Sequence, residues 1–375
     1  MLRKLLAGIV VALAVLALVE ASLRLIAGPP PPPVAVFQVK GEVENYLELT
    51  AQTARPTYQL LEEISPFSRT AGGAAVLGGS SVHIGRGQIE TPDEFAGLLA
   101  KRLGVPFANL GAPGLDSFDL ASIMAELSAV DLDLLIVYTG HNDLGNLMFQ
   151  QRYGDLVGEF SAAVLPIVER TQLFSQLRRA LGPPAGTAHP EKPHIIRRDR
   201  SLRPTAAQRS TAARFFTTNL ARIVWTAQRR GLPLILVVPA SNLLAPPARD
   251  PCQAEKPCAK TLWQHGVHLN QQGELEEGLA MLQQVRDIDP VTIRASSAIE
   301  AAIRSFANEP GVTVIDAAAD LPRMDGQLVP HSQLFEDAIH FSPAGHAAMA
   351  DLLEPAAREL LQHAIMSRPE VLSVP

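Results

Sequence analysis

The sequence predicts a three-layer α/β fold on a five-stranded parallel sheet. Five short apolar runs are spread along the chain: "AAVLGG" (74–79), "VPFANLG" (105–111), "LDLLIVYTG" (132–140), "LPLILVVP" (232–239) and "VTVID" (312–316). Most are apolar at consecutive positions, the pattern of strands covered by helices on both faces. Helix-patterned stretches separate them, and strands that alternate with helices pair in parallel.

Taken in order, the chain opens with a segment of separate character. In residues 1–27, Arg3 and Lys4 precede an apolar run ending at Val19. That run is about 15 residues, short of the roughly 20 that cross a bilayer. Ala21, Leu23, Leu25, Ile26 and Ala27 complete the length if Glu20 and Arg24 sit at the outer interface. Two readings follow, an uncleaved membrane anchor or a cleaved signal segment with Val19 and Ala21 as its small-residue positions. In both, positive charge ahead of the run leaves the N-terminus in the cytoplasm and the rest of the chain outside it, periplasmic or extracellular. Residues 28–55 form a linker, because Pro29 to Pro33 cannot continue a helix and make a stiff extended spacer. Residues 56–365 hold the main domain and 366–375 a tail. Helices are expected over 92–103, 118–130, within 156–230, and after Pro343.

Between the fourth and fifth strands lies inserted material, 246–304. Within it, Gly266, Leu269, Gly273, Gly278, Leu282, Val285 and Pro290 place small, large and helix-ending residues as a helical hairpin needs. The pattern resembles a single tetratricopeptide repeat; a generic helical hairpin is the alternative. A lone hairpin cannot bury its apolar face, so it must pack on the main domain or on a protein partner. Cys252 and Cys258 are the two cysteines, and in an exported chain a local disulfide is the expected pairing over two surface thiols.

Composition narrows the function. The formal charge is −6 with no long basic block, which argues against a dedicated nucleic-acid binder. No zinc-type spacing of Cys and His occurs, and the expected chemistry calls for no metal or organic cofactor.

A parallel α/β sheet places its ligand site at the carboxyl ends of its strands, and the polar residues gather there. The first strand ends in Gly78-Gly79-Ser80-Ser81, the second in "NLGAPGLDS" (109–117), and the third in "TGHND" (139–143). The fifth leads to "FEDAIHFSPAGH" (335–346). Taken singly, these are a small-residue turn, helix caps and a loop histidine. Together they resemble the SGNH hydrolases, or GDSL-type esterases. That family carries Gly-Asp-Ser after its first strand, Gly after the second, Gly-x-Asn-Asp after the third and Asp-x-x-His near the C-terminus. Here the order is Gly78-Gly79-Ser80, Gly114, Gly140-His141-Asn142-Asp143 and Asp337-Ala338-Ile339-His340. The resemblance covers about residues 74–361 and implies the flavodoxin-like SGNH fold.

The chemistry of these residue types points the same way. A serine hydroxyl needs a base, and His340 is the candidate, with Asp337 to orient it and stabilise its cation. The N–H groups of Ser80 and Gly114 and the Asn142 amide are candidate oxyanion donors, each worth about 2.7–4 kcal/mol in the transition state. Ser81, His83, His141 and Asp143 are substrate-pocket candidates, while His346 is expected to pack or cap on the last helix. Two alignments compete for the nucleophile. Gly85 lies four residues beyond Ser81, where the family often has glycine, whereas Ser80 has the glycine that directly follows the strand. Strand geometry favours Ser80. In either alignment the family's Asp is missing, and altered loop packing is expected in its place.

The expected function is an exported, membrane-tethered serine ester hydrolase or O-acyltransferase. Its partner would be an ester substrate, an envelope glycan or lipid among the candidates. The alternative is a catalytically decayed scaffold of the same fold that binds a protein or glycan partner.

Overall fold

The computed structural model describes residues 2–27, 36–43, 46–52, 73–82, 93–111, 114–127, 131–149, 171–173, 176, 204–247, 258–289, 293–323 and 326–366. Its strands are β1 (Val36–Val43), β2 (Tyr46–Gln52), β3 (Gly73–Gly78), β4 (Phe107–Gly111), β5 (Leu132–Tyr138), β6 (Leu234–Val238) and β7 (Val312–Asp316). The helices are α1 (Leu2–Ala27), α2 (Phe95–Leu103), α3 (Ser117–Leu127), α4 (Asp143–Phe149), α5 (Ala206–Arg229), α6 (Ala259–Gln272), α7 (Leu275–Ile288), α8 (Ser297–Arg304), α9 (Ala317–Arg323) and α10 (Pro343–Met366).

The five expected strands form the parallel core of the sheet, in the order β4-β3-β5-β6-β7. Alternate residues of each strand enter opposite cores. Ala75, Leu77, Leu135, Val137, Leu234 and Leu236 face α3, α5 and α8. Ala74, Val76, Leu134, Ile136, Ile235 and Val237 face α2, α9 and α10. Burial on both faces is why these strands read as unbroken apolar runs, each buried Val, Leu or Ile side chain contributing about 1.5–3 kcal/mol. The layers are helix, sheet and helix, as expected.

The sheet itself is wider than expected. β2 pairs in parallel with β4 and β1 pairs antiparallel with β2, giving seven strands. Residues 36–43 and 46–52, read from sequence as linker, therefore extend the sheet edge. The spacer Pro29–Pro33 lies outside the described residues.

The long helical region is described at 171–173, at 176 and from 204 on, where it forms α5. Thr205 starts it with a capping box: its Oγ1 accepts from the Gln208 N–H at 3.2 Å, and Gln208 Oε1 accepts from the Thr205 N–H at 2.8 Å. Such a cap is worth about 1 kcal/mol.

In the inserted region, α6 and α7 form an antiparallel hairpin turned at Gly273, which has φ +86°. A Cβ on Gly278 would lie 3.0 Å from the Asn270 nitrogen and 3.2 Å from the Gly266 oxygen, so small residues set the helix spacing. Leu282 joins Leu243 and Val329 in a small core, which docks the hairpin on the main domain. Pro290 lies outside the described residues. α8 was expected in the same insertion, but its Ile299 and Ile303 pack in the main core beside α5. It belongs to the helical layer over the sheet. Cys258 is disulfide-bonded, and no free cysteine occurs among the described residues. The chain's other cysteine, Cys252, lies outside them.

Among the described residues, no helix is long and apolar enough to cross a membrane. Several side chains of α1 are not among those residues. Glu20 of α1 accepts hydrogen bonds from the N–H groups of Gln172 at 2.8 Å and Leu173 at 2.9 Å.

Candidate active site

The strand order reverses at β3, with β4 on one side and β5 on the other. A crevice opens outside the carboxyl end of a parallel sheet at such a point. Ser80 lies there. After β3, Gly79 and the single helical turn Ser80–Val82 fold back over the strand ends. A Cβ on Gly111 would meet Val82 Cγ2 at 1.9 Å, and one on Gly78 would meet the Tyr138 carbonyl at 2.6 Å. Glycine at both strand ends is what lets the turn sit this close. Asn109 ties the turn down from below, donating to the Val82 carbonyl at 2.8 Å and to Glu94 Oε2 at 2.7 Å.

Ser80 Oγ is 2.8 Å from His340 Nε2, and His340 Nδ1 is 2.7 Å from Asp337 Oδ2. Since an ionised carboxylate only accepts, Nδ1 carries the proton and Nε2 accepts from the serine hydroxyl. Asp337 Oδ1 also accepts from the N–H groups of Ile339 and His340, both at 2.9 Å. Partial burial pushes the Asp337 carboxyl up, but the bonds from His340 and these two N–H groups outweigh it. They hold the carboxyl well below the usual carboxylate range. It is therefore anionic at neutral pH.

The Asp337–His340 segment is a tight turn between Phe335 and Phe341, which bridge as an antiparallel pair and stack with centroids 5.3 Å apart. The Glu336 N–H donates to the His340 carbonyl across the turn at 2.8 Å. Ser81, the competing serine, is only 2 % exposed and has turned into the protein, whereas Ser80 reaches the rim.

Asn142 Nδ2 donates to the Leu115 carbonyl at 2.9 Å, which commits one of its two N–H groups. A Cβ on Gly79 would lie 2.7 Å from the same Nδ2, so the Asn142 amide lies directly against the backbone preceding Ser80. Gly114 has φ +81°, a conformation that favours glycine, and a Cβ there would meet nothing within 4 Å. Backbone conformation is what requires glycine at 114; the space in front of it is open.

Two pocket candidates lie elsewhere. His141 is buried: Nδ1 accepts from the Ala295 N–H at 3.1 Å, while Nε2 is 3.5 Å from the Tyr138 hydroxyl, which donates to the Ala240 carbonyl at 3.2 Å. Burial first, then the nearby His340, Arg286 and Arg294, lower its pKa to about 3, so the ring is neutral. It holds the segment before α8 against the end of β5. Asp143 is buried beneath the loop that carries Gly114, accepting from the Ser117 N–H at 3.1 Å and its hydroxyl at 2.5 Å. Its Oδ2 is buried without a hydrogen-bond partner. Burial and the neighbouring Asp116 push its pKa up to about 7. His83 lies outside the described residues. His346 is buried on α10, its Nδ1 accepting from the Phe95 N–H at 3.3 Å and its ring against Phe95 and Phe341.

Sequence reasoning missed the supports. Asn146 Nδ2 donates to the Gly114 carbonyl at 2.8 Å and to Asp116 Oδ2 at 2.7 Å, fixing the loop after β4. Asn242 bonds the backbone of the Asp337 turn. Its position just beyond the fourth apolar run is the available signal, since the other four runs lead to the motif residues. Among the described residues no cluster of His, Cys, Asp and Glu fits a metal ion.

No protein-family model matches the chain, and no curated protein matches it. Several solved structures are similar. A GDSL-like lipase from Bacteroides thetaiotaomicron is 10% identical, with a TM-score of 0.40 over 80% of this chain and 97% of its own. An acetyl xylan esterase is 12% identical, with a TM-score of 0.38 over 76% and 98%. A phospholipase A1 from Streptomyces albidoflavus is 14% identical, with a TM-score of 0.39 over 77% and 99%.

Proposed function

We propose that this chain is an SGNH-type serine ester hydrolase or O-acyltransferase that works through an acyl-enzyme on Ser80. The observation that supports the reading is the unbroken hydrogen-bond path from Asp337 through His340 to Ser80. His340 Nε2 takes the hydroxyl proton as Ser80 Oγ attacks the ester carbonyl, and anionic Asp337 stabilises the imidazolium. The N–H groups of Ser80 and Gly114 and the uncommitted N–H of Asn142 face the oxyanion. Collapse of the tetrahedral intermediate expels the alcohol, which takes its proton from His340. Water or a second hydroxyl then attacks the acyl-enzyme with His340 again as base, and collapse of this second intermediate breaks the bond to Ser80 Oγ, which takes the proton back from His340. The ester belongs to a carbohydrate, a lipid or a small molecule.

Hydrolysis of p-nitrophenyl acetate and labelling by a fluorophosphonate test this. Wild type should turn over and label; Ser80→Ala should lose about 1,000-fold or more in kcat and all labelling. Ser81→Ala should retain labelling and most of its rate. A wild-type protein that neither turns over nor labels defeats the reading.

The domain's site of action is part of the same proposal: α1 is retained and tethers an exported domain. Arg3 and Lys4 ahead of the apolar run support the orientation. Cleavage after Ala21 would remove Glu20 and its bonds to Gln172 and Leu173, which supports retention. Fractionation of producing cells should leave the full-length chain in the membrane pellet after alkaline carbonate. A soluble product that begins near residue 22 would show cleavage instead.

A further inference from the structure

The bonds within the Asp337–His340 turn fix its shape but not its position relative to Ser80. Phe341 seats one end of the turn against Tyr138 and His346, and a polar strut from outside the turn comes from one residue shortly after β6. Asn242 is 6 % exposed. Its backbone N–H donates to the Ala338 carbonyl at 3.0 Å and its Nδ2 to the Asp337 carbonyl at 3.1 Å, so it grips two successive peptide groups. Its own Oδ1 accepts from the Ala245 N–H at 3.1 Å, which prevents the amide from turning away. The Asp337 side chain projects from the residue whose carbonyl is held, and it meets His340 at 2.7 Å.

The segment carrying Asn242 is itself anchored. Arg294 Nη2 donates to the Ala245 carbonyl at 2.9 Å and Arg294 Nη1 to Asp289 Oδ2 at 3.2 Å. Arg294 is 7 % exposed, so this brace is interior. Asp289 closes α7, which ties the base of the hairpin to the strut.

We propose that Asn242 is the positioning residue that sets Asp337 and His340 in register with Ser80. This rests on the serine-hydrolase reading, but the strut also has a readout independent of catalysis. Misplacing a catalytic group by about 1 Å costs on the order of 100-fold in rate. In the full-length protein, Asn242→Ala removes both side-chain bonds, whereas Asn242→Asp keeps the acceptor for Ala245 and loses the donor to Asp337. Both should lower kcat by about 10- to 100-fold with KM within about twofold, because neither touches substrate. An Asn242→Asp protein restored to wild-type kcat would reduce Asn242 to a local turn former and overturn the proposal. Amide hydrogen exchange supplies the second measurement. In Asn242→Ala the N–H groups of Ile339 and His340, held by the Asp337 carboxylate, should exchange at least about 10-fold faster, while exchange in α5 stays unchanged. Unchanged exchange at these two amides overturns the strut even if activity falls. If the wild-type protein hydrolyses no ester and the exchange response still appears, the hydrolase reading fails and the strut stands.

Discussion

Gly79 occupies the place where the resembled family carries Asp, and the geometry gives a reason for its being glycine here. The Asn142 amide fills the space that a Cβ would need, with Nδ2 at 2.7 Å. That amide is held by the Leu115 carbonyl, whose own position is 3.2 Å from the same Cβ. Asn142 therefore cannot yield without losing its bond. Gly79→Ala should displace the amide from the oxyanion side and lower kcat by about 10- to 1,000-fold, with KM and fold nearly unchanged. Gly79→Asp, which recreates the family motif, should do no better. A Gly79→Asp protein with wild-type kcat would show that the loop repacks freely. Ser80, Gly114 and Asn142 stand out in the sequence because each closely follows an apolar run, whereas Asp337 and His340 stand out only by their Asp-x-x-His spacing. Asn242, Asn146 and Asp116 do not. They act by bonding backbone groups or one another, and an isolated polar residue in a loop or a short helix carries no mark of such a partner.

At the scale of elements, the strands of the parallel core were legible for a physical reason: burial on both faces demands unbroken apolar sequence. β1 and β2 lie at the sheet edge and carry no such run; "VFQVKGEV" and "YLELTAQ" mix polar and apolar residues. Preceded by five prolines, they read as linker. The hairpin α6–α7 was legible from its small residues, but α8 was assigned to the wrong body. An amphipathic pattern says that one helix face is covered without saying what covers it. The covering of α8 is decided by Ile299 and Ile303 against the sheet, and by His141 holding the Ala295 N–H. Helix and hairpin remain connected through the buried Arg286–Glu300 pair, with Arg286 also donating to Ser297 Oγ at 2.6 Å. The hairpin is thus braced against a helix of the layer that covers the sheet.

The stability of the whole molecule carries a pH signature made by two buried groups next to the candidate oxyanion residue. Asp143 has its pKa raised to about 7, chiefly by burial, whereas an unfolded aspartate titrates near ~3.9. Between those values the folded state holds one proton more than the unfolded state, so this group makes stability fall as pH rises. His141 is lowered to about 3, again chiefly by burial, against ~6.5 when unfolded. Over that interval the unfolded state holds the extra proton, so His141 makes stability rise with pH. From about pH 4 to 6.5 the two oppose each other, each amounting to roughly 1.4 kcal/mol per pH unit at most. Asp143→Asn removes one and exposes the other. All groups but this one are common to both proteins, so the difference in unfolding free energy reports Asp143 together with its interaction with the adjacent Asp116. Urea unfolding across this window should show that difference moving in favour of the variant by on the order of 1 kcal/mol per pH unit as pH rises. A difference that stays constant from pH 4.5 to 6.5 would mean that Asp143 ionises normally in the folded protein. A buried carboxylate would then lie next to Ser117, held by its N–H and hydroxyl.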